Sequence, residues 1–321
     1  MSSLSVFIPT FNRPAALKTQ LDLFAPQLGD TPLTVIDNGS EMELRHLIPS
    51  NMRYIRNVAN IGATANVLRC VELCETDWIW ICGDDDPVLP DGICRAKEII
   101  SEFSDTCYVS TTSRIVTHKQ NTRTSSIPQL LGLVEDIGRL FWLTGNLYNV
   151  RQLRQHLRVA HYLPNAAPQM VLVLMAMSRG IPAGVSTSSI AYNAYPDDPS
   201  QRWNEHEVLC YLSGLVDLPL PLNDRKAIAV SLSNMIFSFD EHFLRVLNAV
   251  VQGAPGVVDL IALFGSRWSR IFVTLEDLEK LKFLLARLDA LRRPEECKEL
   301  LRQIGPQGMR PVEITPRFQR L

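Results

Sequence analysis

Residues 78–87 read WIWICGDDDP, an unbroken apolar run that ends in a glycine and three consecutive aspartates. A continuous run of β-branched and aromatic residues is typical of a strand buried on both faces of a sheet. Three adjacent carboxylates repel one another, so the turn after this strand needs a cation or hydrogen-bond donors to compensate its charge. The segment therefore predicts a buried strand that ends in an acidic turn.

Three further apolar runs precede this strand and alternate with helix-like stretches. The strand-like runs are residues 4–8, 33–36 and 52–55, and helices are predicted at residues 17–24 and 67–73. Strands separated by helices imply a mostly parallel sheet with helices on both faces. We predict an open, doubly wound α/β domain, in which ligands bind beyond the carboxyl ends of the strands.

The second half of the chain has a different pattern. Strands are predicted at residues 108–116 and 142–150, with a polar loop at 119–129 between them. A helix is expected to start near Asn165 as its cap, with Pro168 in the first turn, and to run to Gly180. Because the sequence from residue 205 onward is almost all helical in pattern, we divide the chain into a domain at 1–204 and a helical region at 205–321.

Composition excludes several classes of protein. The 321 residues include 32 Lys and Arg against 34 Asp and Glu, a near-balance that argues against a nucleic-acid partner. The longest apolar run, residues 170–177, is far shorter than the roughly 18 residues that suggest a membrane span. Seven scattered cysteines without a Cys-x-x-Cys pair, and an N-terminus without a signal-like stretch, favour a cytoplasmic location.

Polar residues follow each predicted strand of the first half. They are Pro9-Thr-Phe-Asn-Arg-Pro14, Asp37-Asn-Gly-Ser40, Asn60-Ile-Gly62 with Asn66 beyond it, and Gly83-Asp-Asp-Asp-Pro87. Taken singly, each has an ordinary explanation: Thr10 and Asn12 can cap the next helix, Asp37 can stabilise a turn, and the aspartates can form a solvated turn. The acidic turn also suits Mg²⁺ or Mn²⁺ bound with a diphosphate, because these ions prefer oxygen ligands.

In this order the motifs resemble the family 2 glycosyltransferases of the GT-A fold, and the resemblance covers about residues 4–100. It implies a GT-A-type, Rossmann-like α/β fold with a mostly parallel sheet flanked by helices and a C-terminal helical appendage. It also implies that residues 1–110 form the nucleotide-sugar-binding half and residues 111–204 the acceptor-binding half of the 1–204 domain.

The resemblance implies a nucleotide-sugar site and a metal site that share the acidic turn. Asp84 and Asp86 would form the family's DXD element and hold Mn²⁺ or Mg²⁺. The residues implied in nucleotide-sugar binding are Pro9, Thr10, Asn12, Arg13, Asp37, Asn60, Gly62, Asn66, Asp84 and Asp85.

An inverting member of this family needs a general base, which is often the Asp of a Glu-Asp pair at a helix start. Here the pair reads Pro168-Gln169, and a glutamine cannot accept a proton at neutral pH. The candidates for the base are therefore His161, Asp136, Asp197 and Asp198. Alternatively the chain is a non-catalytic nucleotide-sugar-binding protein; a nucleotidyltransferase would need a glycine-rich phosphate loop, which is absent after the first strand.

The resemblance implies a metal-dependent hexosyl- or deoxyhexosyltransferase whose acceptor is a glycan or a lipid-linked saccharide. Aromatic and amide side chains that can contact sugars are Trp142, Asn146, Tyr148, Tyr162, Tyr192 and Trp203, although several suit a core equally well. Residues 283–321 hold eight basic and five acidic side chains. This excess is compatible with peripheral contact with anionic lipid headgroups, or with a solvated helical face.

Overall fold

The computed structural model describes residues 3–113, 117–134, 137–163, 167–192, 211–237, 266–268, 270–271 and 295. Within these residues, one sheet of eight strands lies at the centre with helices on both faces. The strands are β1 (Leu4–Thr10), β2 (Leu33–Asp37), β3 (Arg53–Arg56), β4 (Trp78–Ile81), β5 (Tyr108–Thr112), β6 (Thr122–Thr124), β7 (Asn146–Asn149) and β8 (Ala183–Ser189). The helices are α1 (Pro14–Phe24), α2 (Ala63–Leu73), α3 (Gly92–Glu102), α4 (Ile127–Val134), α5 (Gly138–Phe141), α6 (Val150–Leu153), α7 (Leu157–Tyr162), α8 (Pro168–Met177) and α9 (Leu222–Phe237).

The strand order is β3-β2-β1-β4-β7-β5-β8-β6. The pairs β2-β3, β1-β2 and β1-β4 are parallel, which confirms the doubly wound arrangement predicted for the first half. In the register of β1 and β2, Thr10 lies opposite Asp37. The polar segments after β1, β2, β3 and β4 therefore meet at one edge of the sheet, as expected for parallel strands.

The other half of the sheet is mixed. Strand β7 is inserted antiparallel between β4 and β5, and β8 pairs parallel with β5 and antiparallel with β6. The prediction of a polar loop at residues 119–129 was wrong, because this stretch contains β6 and the start of α4. Strand β6 is a three-residue edge strand with an exposed central Arg123, so its sequence carries no apolar pattern.

Side chains of each strand alternate between two cores. Val6 and Ile8 of β1 pack with α1 and α3 on one face, and Phe7 packs with α2 and α8 on the other. Helix α8 is buried along its whole length, which explains its apolar sequence. The cap of α8 is Ala167; the predicted cap, Asn165, lies outside the described residues.

The C-terminal region is described at residues 211–237 and in a few positions beyond. Helix α9 packs against α4 and follows a short 3₁₀ helix at Ser213–Asp217, in agreement with the predicted helical character. The basic segment from residue 283, apart from Glu295, lies outside the described residues. None of the helices described is both long and apolar enough to span a membrane.

Candidate functional site

A cavity of about 470 Å³ opens at the carboxyl edge of the parallel strands. The ends of β1 and β4 and the start of α2 form one wall, and the segment between α5 and β7 forms another with the start of α8. Of the residues predicted from sequence, those on the wall are Pro9, Thr10, Arg13, Asn66, Asp84, Asp85 and Asp86. The structure thus brings the segments after β1 and β4 together around one space.

Asp84 is buried and both of its carboxylate oxygens have partners. The hydroxyl of Thr10 donates to Oδ2 at 2.6 Å, and Nη1 of Arg13 donates to Oδ1 at 3.1 Å. The same Nη1 donates to Oδ2 of Asp85 at 2.6 Å. Burial raises the pKa of Asp84, and the hydrogen bond from Thr10 and the charge of Arg13 act against that rise. Arg13 therefore supplies the counter-charge for two of the three aspartates.

Asp86 has a different set of partners. Its Oδ2 accepts hydrogen bonds from Nε1 of Trp142 at 2.8 Å and from the hydroxyl of Thr144 at 2.6 Å. Its backbone carbonyl accepts from Nε2 of Gln20 at 2.9 Å. Burial raises the pKa of the Asp86 carboxyl to about 6. Its Oδ1 accepts no hydrogen bond from any described residue, and Asp86 lines the cavity.

Asp37 does not line the cavity and is fully buried. Its Oδ1 accepts the backbone N–H of Ser40 at 2.9 Å, and its Oδ2 accepts the hydroxyl of Tyr54 at 2.6 Å. Arg56 lies 3.4 Å from the same Oδ2. In this structure Asp37 stabilises the loop after β2, and its predicted contact with a base or ribose stays a prediction.

Asparagine side chains connect the loops after β2 and β3 to α2. Nδ2 of Asn57 donates to Oδ1 of Asn38 at 3.0 Å and to Oδ1 of Asn66 at 2.9 Å. Nδ2 of Asn38 donates to Oδ1 of Asn60 at 2.8 Å, and that oxygen also accepts the N–H of Gly62. Asn38 and Asn66 line the cavity, whereas Asn60 and Gly62 do not. Asn60 accepts the hydrogen bond from Asn38, and Gly62 donates to the same oxygen of Asn60.

Asn12 also acts between loops rather than on the cavity wall. It adopts a left-handed backbone conformation with φ of 55°, which asparagine tolerates better than most residues. Its N–H donates to the hydroxyl of Ser40, and its Oδ1 accepts the N–H of Glu41, both at 2.9 Å. Asn12 thus fixes the end of β1 against the loop after β2.

The wall formed by α8 carries an amide where the family resemblance places a carboxylate. Gln169 is 3% exposed, and its Nε2 donates to the carbonyl of Phe141 at 3.2 Å. Among the described residues, the ionisable side chains that line the cavity are those of Arg13, Asp84, Asp85 and Asp86. All of them lie on the wall opposite Gln169.

The candidates for a general base are placed as follows. His161 does not line the cavity; it lies on α7, and its Nε2 is 2.7 Å from Oε1 of Glu72. Asp136, Asp197 and Asp198 lie outside the described residues. Of the four candidates, His161 is therefore placed outside the cavity, and the three aspartates stay predictions.

The side chains predicted as possible sugar contacts differ in their position relative to the cavity. Trp142 lines the cavity, whereas Asn146 and Tyr148 are buried on β7. Tyr162 and Tyr192 are exposed away from the cavity wall, and Trp203 lies outside the described residues.

Three residues at the site were missed by sequence analysis: Thr144, Asn38 and Gln20. Gln20 had a signal, because it interrupts the apolar face of α1 formed by Leu17, Leu21 and Phe24, all buried. Thr144 had none, since its role depends on a strand that pairs with β4 from far along the chain.

The oxygen atoms of the acidic turn fit a divalent cation only in part. The described residues contain no group of three or more His, Cys, Asp or Glu side chains arranged to hold a metal ion. Asp84 is already paired with Thr10 and Arg13, which leaves Oδ1 of Asp86 and Oδ1 of Asp85 as the carboxylate oxygens of the turn that accept no hydrogen bond from a described residue. Mg²⁺ is commonly held by one or two carboxylates together with substrate phosphates, and this donor set fits that mode.

Comparisons with known proteins agree with this fold. Residues 5–163 match the family model described as glycosyl transferase family 2. None of the curated proteins matches the sequence. Two solved structures with a similar fold are those of S. aureus TarS 1–349 and of the mannosyltransferase PcManGT from Pyrobaculum calidifontis.

The TarS structure in complex with UDP-GlcNAc has a TM-score of 0.63 and 14% identity, and the match covers 94% of this chain and 92% of that one. PcManGT, in complex with GDP-Man and Mn²⁺, has a TM-score of 0.54 and 12% identity, with 91% of this chain and 86% of that one covered. At these identities the likeness concerns the fold, and it confirms the GT-A-type, Rossmann-like architecture predicted from the sequence motifs.

Proposed function

Since the chain belongs to glycosyl transferase family 2 through residues 5–163, we propose that it transfers a sugar from a nucleoside-diphosphate sugar to a hydroxyl group of a glycan or lipid-linked saccharide. The observation that carries this proposal is the acidic turn Asp84–Asp86 on the wall of the cavity at the carboxyl edge of the parallel strands. TarS is in complex with UDP-GlcNAc and PcManGT is in complex with GDP-Man, and both complexes support a nucleotide-sugar donor.

A divalent cation, Mn²⁺ or Mg²⁺, is part of the proposal. Two observations support a cation: PcManGT is in complex with Mn²⁺, and Oδ1 of Asp86 accepts no hydrogen bond from a described residue. A bound cation would neutralise charge on the diphosphate, both in the bound donor and as the diphosphate leaves. Asp86 would hold the cation, and Asp84 would do so after exchange of its Arg13 contact.

The residues of the parallel-strand wall would bind the nucleotide. Thr10 and Arg13 fix Asp84 and Asp85, so these carboxylates present fixed acceptors to ribose hydroxyl groups. Pro9 and Asn66 line the same wall, and Asn38 is held there by Asn57 and Asn60. Asn12, Asp37, Asn60 and Gly62 would act by positioning these loops.

The general base is proposed among Asp136, Asp198 and His161, with the aspartates preferred. His161 pairs with Glu72 and does not line the cavity, and Gln169 cannot take a proton. Single Asp136→Asn and Asp198→Asn variants test this, because loss of the base lowers the rate of transfer by about 100-fold or more without loss of donor binding.

A second candidate function is nucleotide-sugar binding without turnover. The observation that favours it is the absence of a carboxylate or histidine from the α8 wall within the described part of the cavity. Donor binding with no release of nucleoside diphosphate, with or without acceptor, would support this function over transfer.

The proposed transfer is tested by Asp86→Ala, assayed for release of nucleoside diphosphate from a panel of nucleotide sugars. We expect at least about a 100-fold loss of turnover with the circular dichroism of the wild type, because the substitution removes the oxygen proposed to hold the metal. Asp91→Ala is the matched control, since Asp91 lies in the same segment with its side chain 53% exposed. Wild-type turnover in Asp86→Ala would contradict the metal assignment.

A further inference from the structure

Thr144, between α5 and β7, connects the segment before β7 to the acidic turn after β4. Its side chain is fully buried. The hydroxyl donates to Oδ2 of Asp86 at 2.6 Å and accepts the N–H of Gly83 at 2.8 Å. One hydroxyl therefore bonds to both ends of the segment Gly83–Asp86 that carries the acidic turn.

The position of Thr144 is itself fixed by its surroundings. Its carbonyl accepts a hydrogen bond from Nε1 of the buried Trp80 at 2.8 Å. Trp142 folds back over Gly145, where a Cβ atom would overlap the indole ring. This close approach places Nε1 of Trp142 at the same Oδ2 that Thr144 contacts. Both donors thus belong to the segment that precedes β7, which is held by the bond from Trp80 and by the packing of Trp142 on Gly145.

We propose that Thr144, together with Trp142, is a positioning residue that immobilises Oδ2 of Asp86 so that Oδ1 alone is presented to a divalent cation and diphosphate in the cavity. The inference rests on the proposed function, because it assigns a role in holding the donor complex. Two donors on one oxygen stop the carboxylate from rotating, and hydrogen bonds of this kind to a ligating carboxylate orient it towards its metal.

A purely structural role for Thr144 predicts a different result for the variants than a role in positioning Asp86 does. If the hydroxyl served only to hold the N–H of Gly83, its removal would lower stability and leave metal binding to the folded protein unchanged. The two roles are separated by measuring metal affinity and stability on the same variants.

The test uses Thr144→Val, which keeps the shape of the side chain but removes the hydroxyl, and Thr144→Ser, which restores it. Thr111→Val is the matched control: Thr111 is also buried, but its hydroxyl donates to the carbonyl of Gly145 and not to Asp86. Mn²⁺ affinity is measured on the full chain by electron paramagnetic resonance of free Mn²⁺, with UDP or GDP present, beside nucleotide affinity without metal.

We expect Thr144→Val to weaken Mn²⁺ binding about tenfold, with nucleotide affinity in the absence of metal unchanged. Thr144→Ser should regain most of the loss and Thr111→Val should bind Mn²⁺ as the wild type does. Trp142→Phe, which removes the other donor to Oδ2, should weaken Mn²⁺ binding in the same direction and gives a second measurement if Thr144→Val does not fold.

Wild-type Mn²⁺ affinity in both Thr144→Val and Trp142→Phe would overturn the inference and leave the proposed function standing. An equal loss in Thr111→Val would also overturn it, because Thr111 holds the same segment through Gly145 without contacting Asp86, and the effect would then not depend on the bond to Oδ2. If the wild type itself binds no Mn²⁺ with any nucleoside diphosphate, the proposed metal-dependent function fails, and this inference fails with it.

Discussion

At the residue scale, the charge of the acidic turn is compensated in part by Arg13 and by neutral hydrogen-bond donors. Nη1 of Arg13 contacts both Asp84 and Asp85, and hydroxyl and indole donors contact Asp84 and Asp86. Adjacent carboxylates can stay ionised in a partly buried site only with such partners. Each of the three aspartates therefore has at least one hydrogen-bond donor within the protein.

The role of Arg13 predicts a loss of stability on substitution. Arg13→Gln leaves the buried Asp84 without its charged partner, so the free energy of unfolding should fall by about 1–3 kcal/mol. Urea unfolding of the single variant, Asp84→Asn and the double variant gives their coupling energy. Arg95→Gln is the control, since Arg95 pairs with Asp91 on the surface and should cost less than about 1 kcal/mol. Additive effects of Arg13→Gln and Asp84→Asn would contradict the pairing.

At the scale of the elements, loops that follow separate strands are joined by side-chain amides. Asn57 follows β3, is buried, and donates to Asn38 after β2 and to Asn66 on α2. Because buried amide oxygens lose their hydration on folding, they depend on such donors. The network therefore sets the shape of the cavity wall that Asn38 and Asn66 form.

Asn57→Ala tests this network. Removal of the Asn57 amide takes one hydrogen-bond donor from Oδ1 of Asn38 and one from Oδ1 of Asn66, and both of these side chains are buried. The free energy of unfolding should therefore fall by about 1–3 kcal/mol. Asn51→Ala, in the exposed turn before β3, should change it by less than about 0.5 kcal/mol. Equal effects of the two substitutions in urea unfolding would show that the network does not stabilise the fold.

Substitution of glycine by alanine is expected to change the stability of the protein in opposite directions at Gly184 and Gly132. A Cβ at Gly184 of β8 would lie 2.5 Å from the ring of Phe103, so Gly184→Ala should destabilise the packing by about 1–3 kcal/mol. Gly132 lies on the exposed face of α4 with no atom within 4 Å of its added Cβ, so Gly132→Ala should stabilise by about 0.5–1 kcal/mol. A Tm of Gly184→Ala equal to or above that of the wild type would contradict the packing of Phe103 on β8, and a lower Tm of Gly132→Ala would contradict the prediction for α4.

At the scale of the whole molecule, the two halves of the sheet have different roles. The parallel strands β1 to β4 bring the polar segments together, and the segment that leads into the antiparallel strand β7 supplies the donors that hold Asp86. Four of the seven strand pairs among the described residues are parallel, so the sheet is mixed beyond β4. The cavity lies where these halves meet.

The sequence predicted the parallel half because its signals are local. Apolar runs such as residues 78–81 and the polar segments after them can be read without knowledge of their partners. The insertion of β7 beside β4 could not be predicted, since the bond from Thr144 to Asp86 joins residues 58 positions apart. The contact between Arg13 and Asp84 joins residues 71 positions apart, so Arg13 was expected at the site but not as its counter-charge.

The central claim is that the cavity binds a nucleoside diphosphate together with a divalent cation at the acidic turn. The most direct test is the thermal stability of the wild type with UDP, GDP, dTDP or CDP, each with and without Mn²⁺, beside Asp86→Ala. We predict that one of these nucleotides raises Tm by about 2 °C or more with Mn²⁺, and that Asp86→Ala loses the metal-dependent part of this shift. No shift with any nucleotide, or a shift in the wild type that is the same without Mn²⁺ and in Asp86→Ala, would contradict the account.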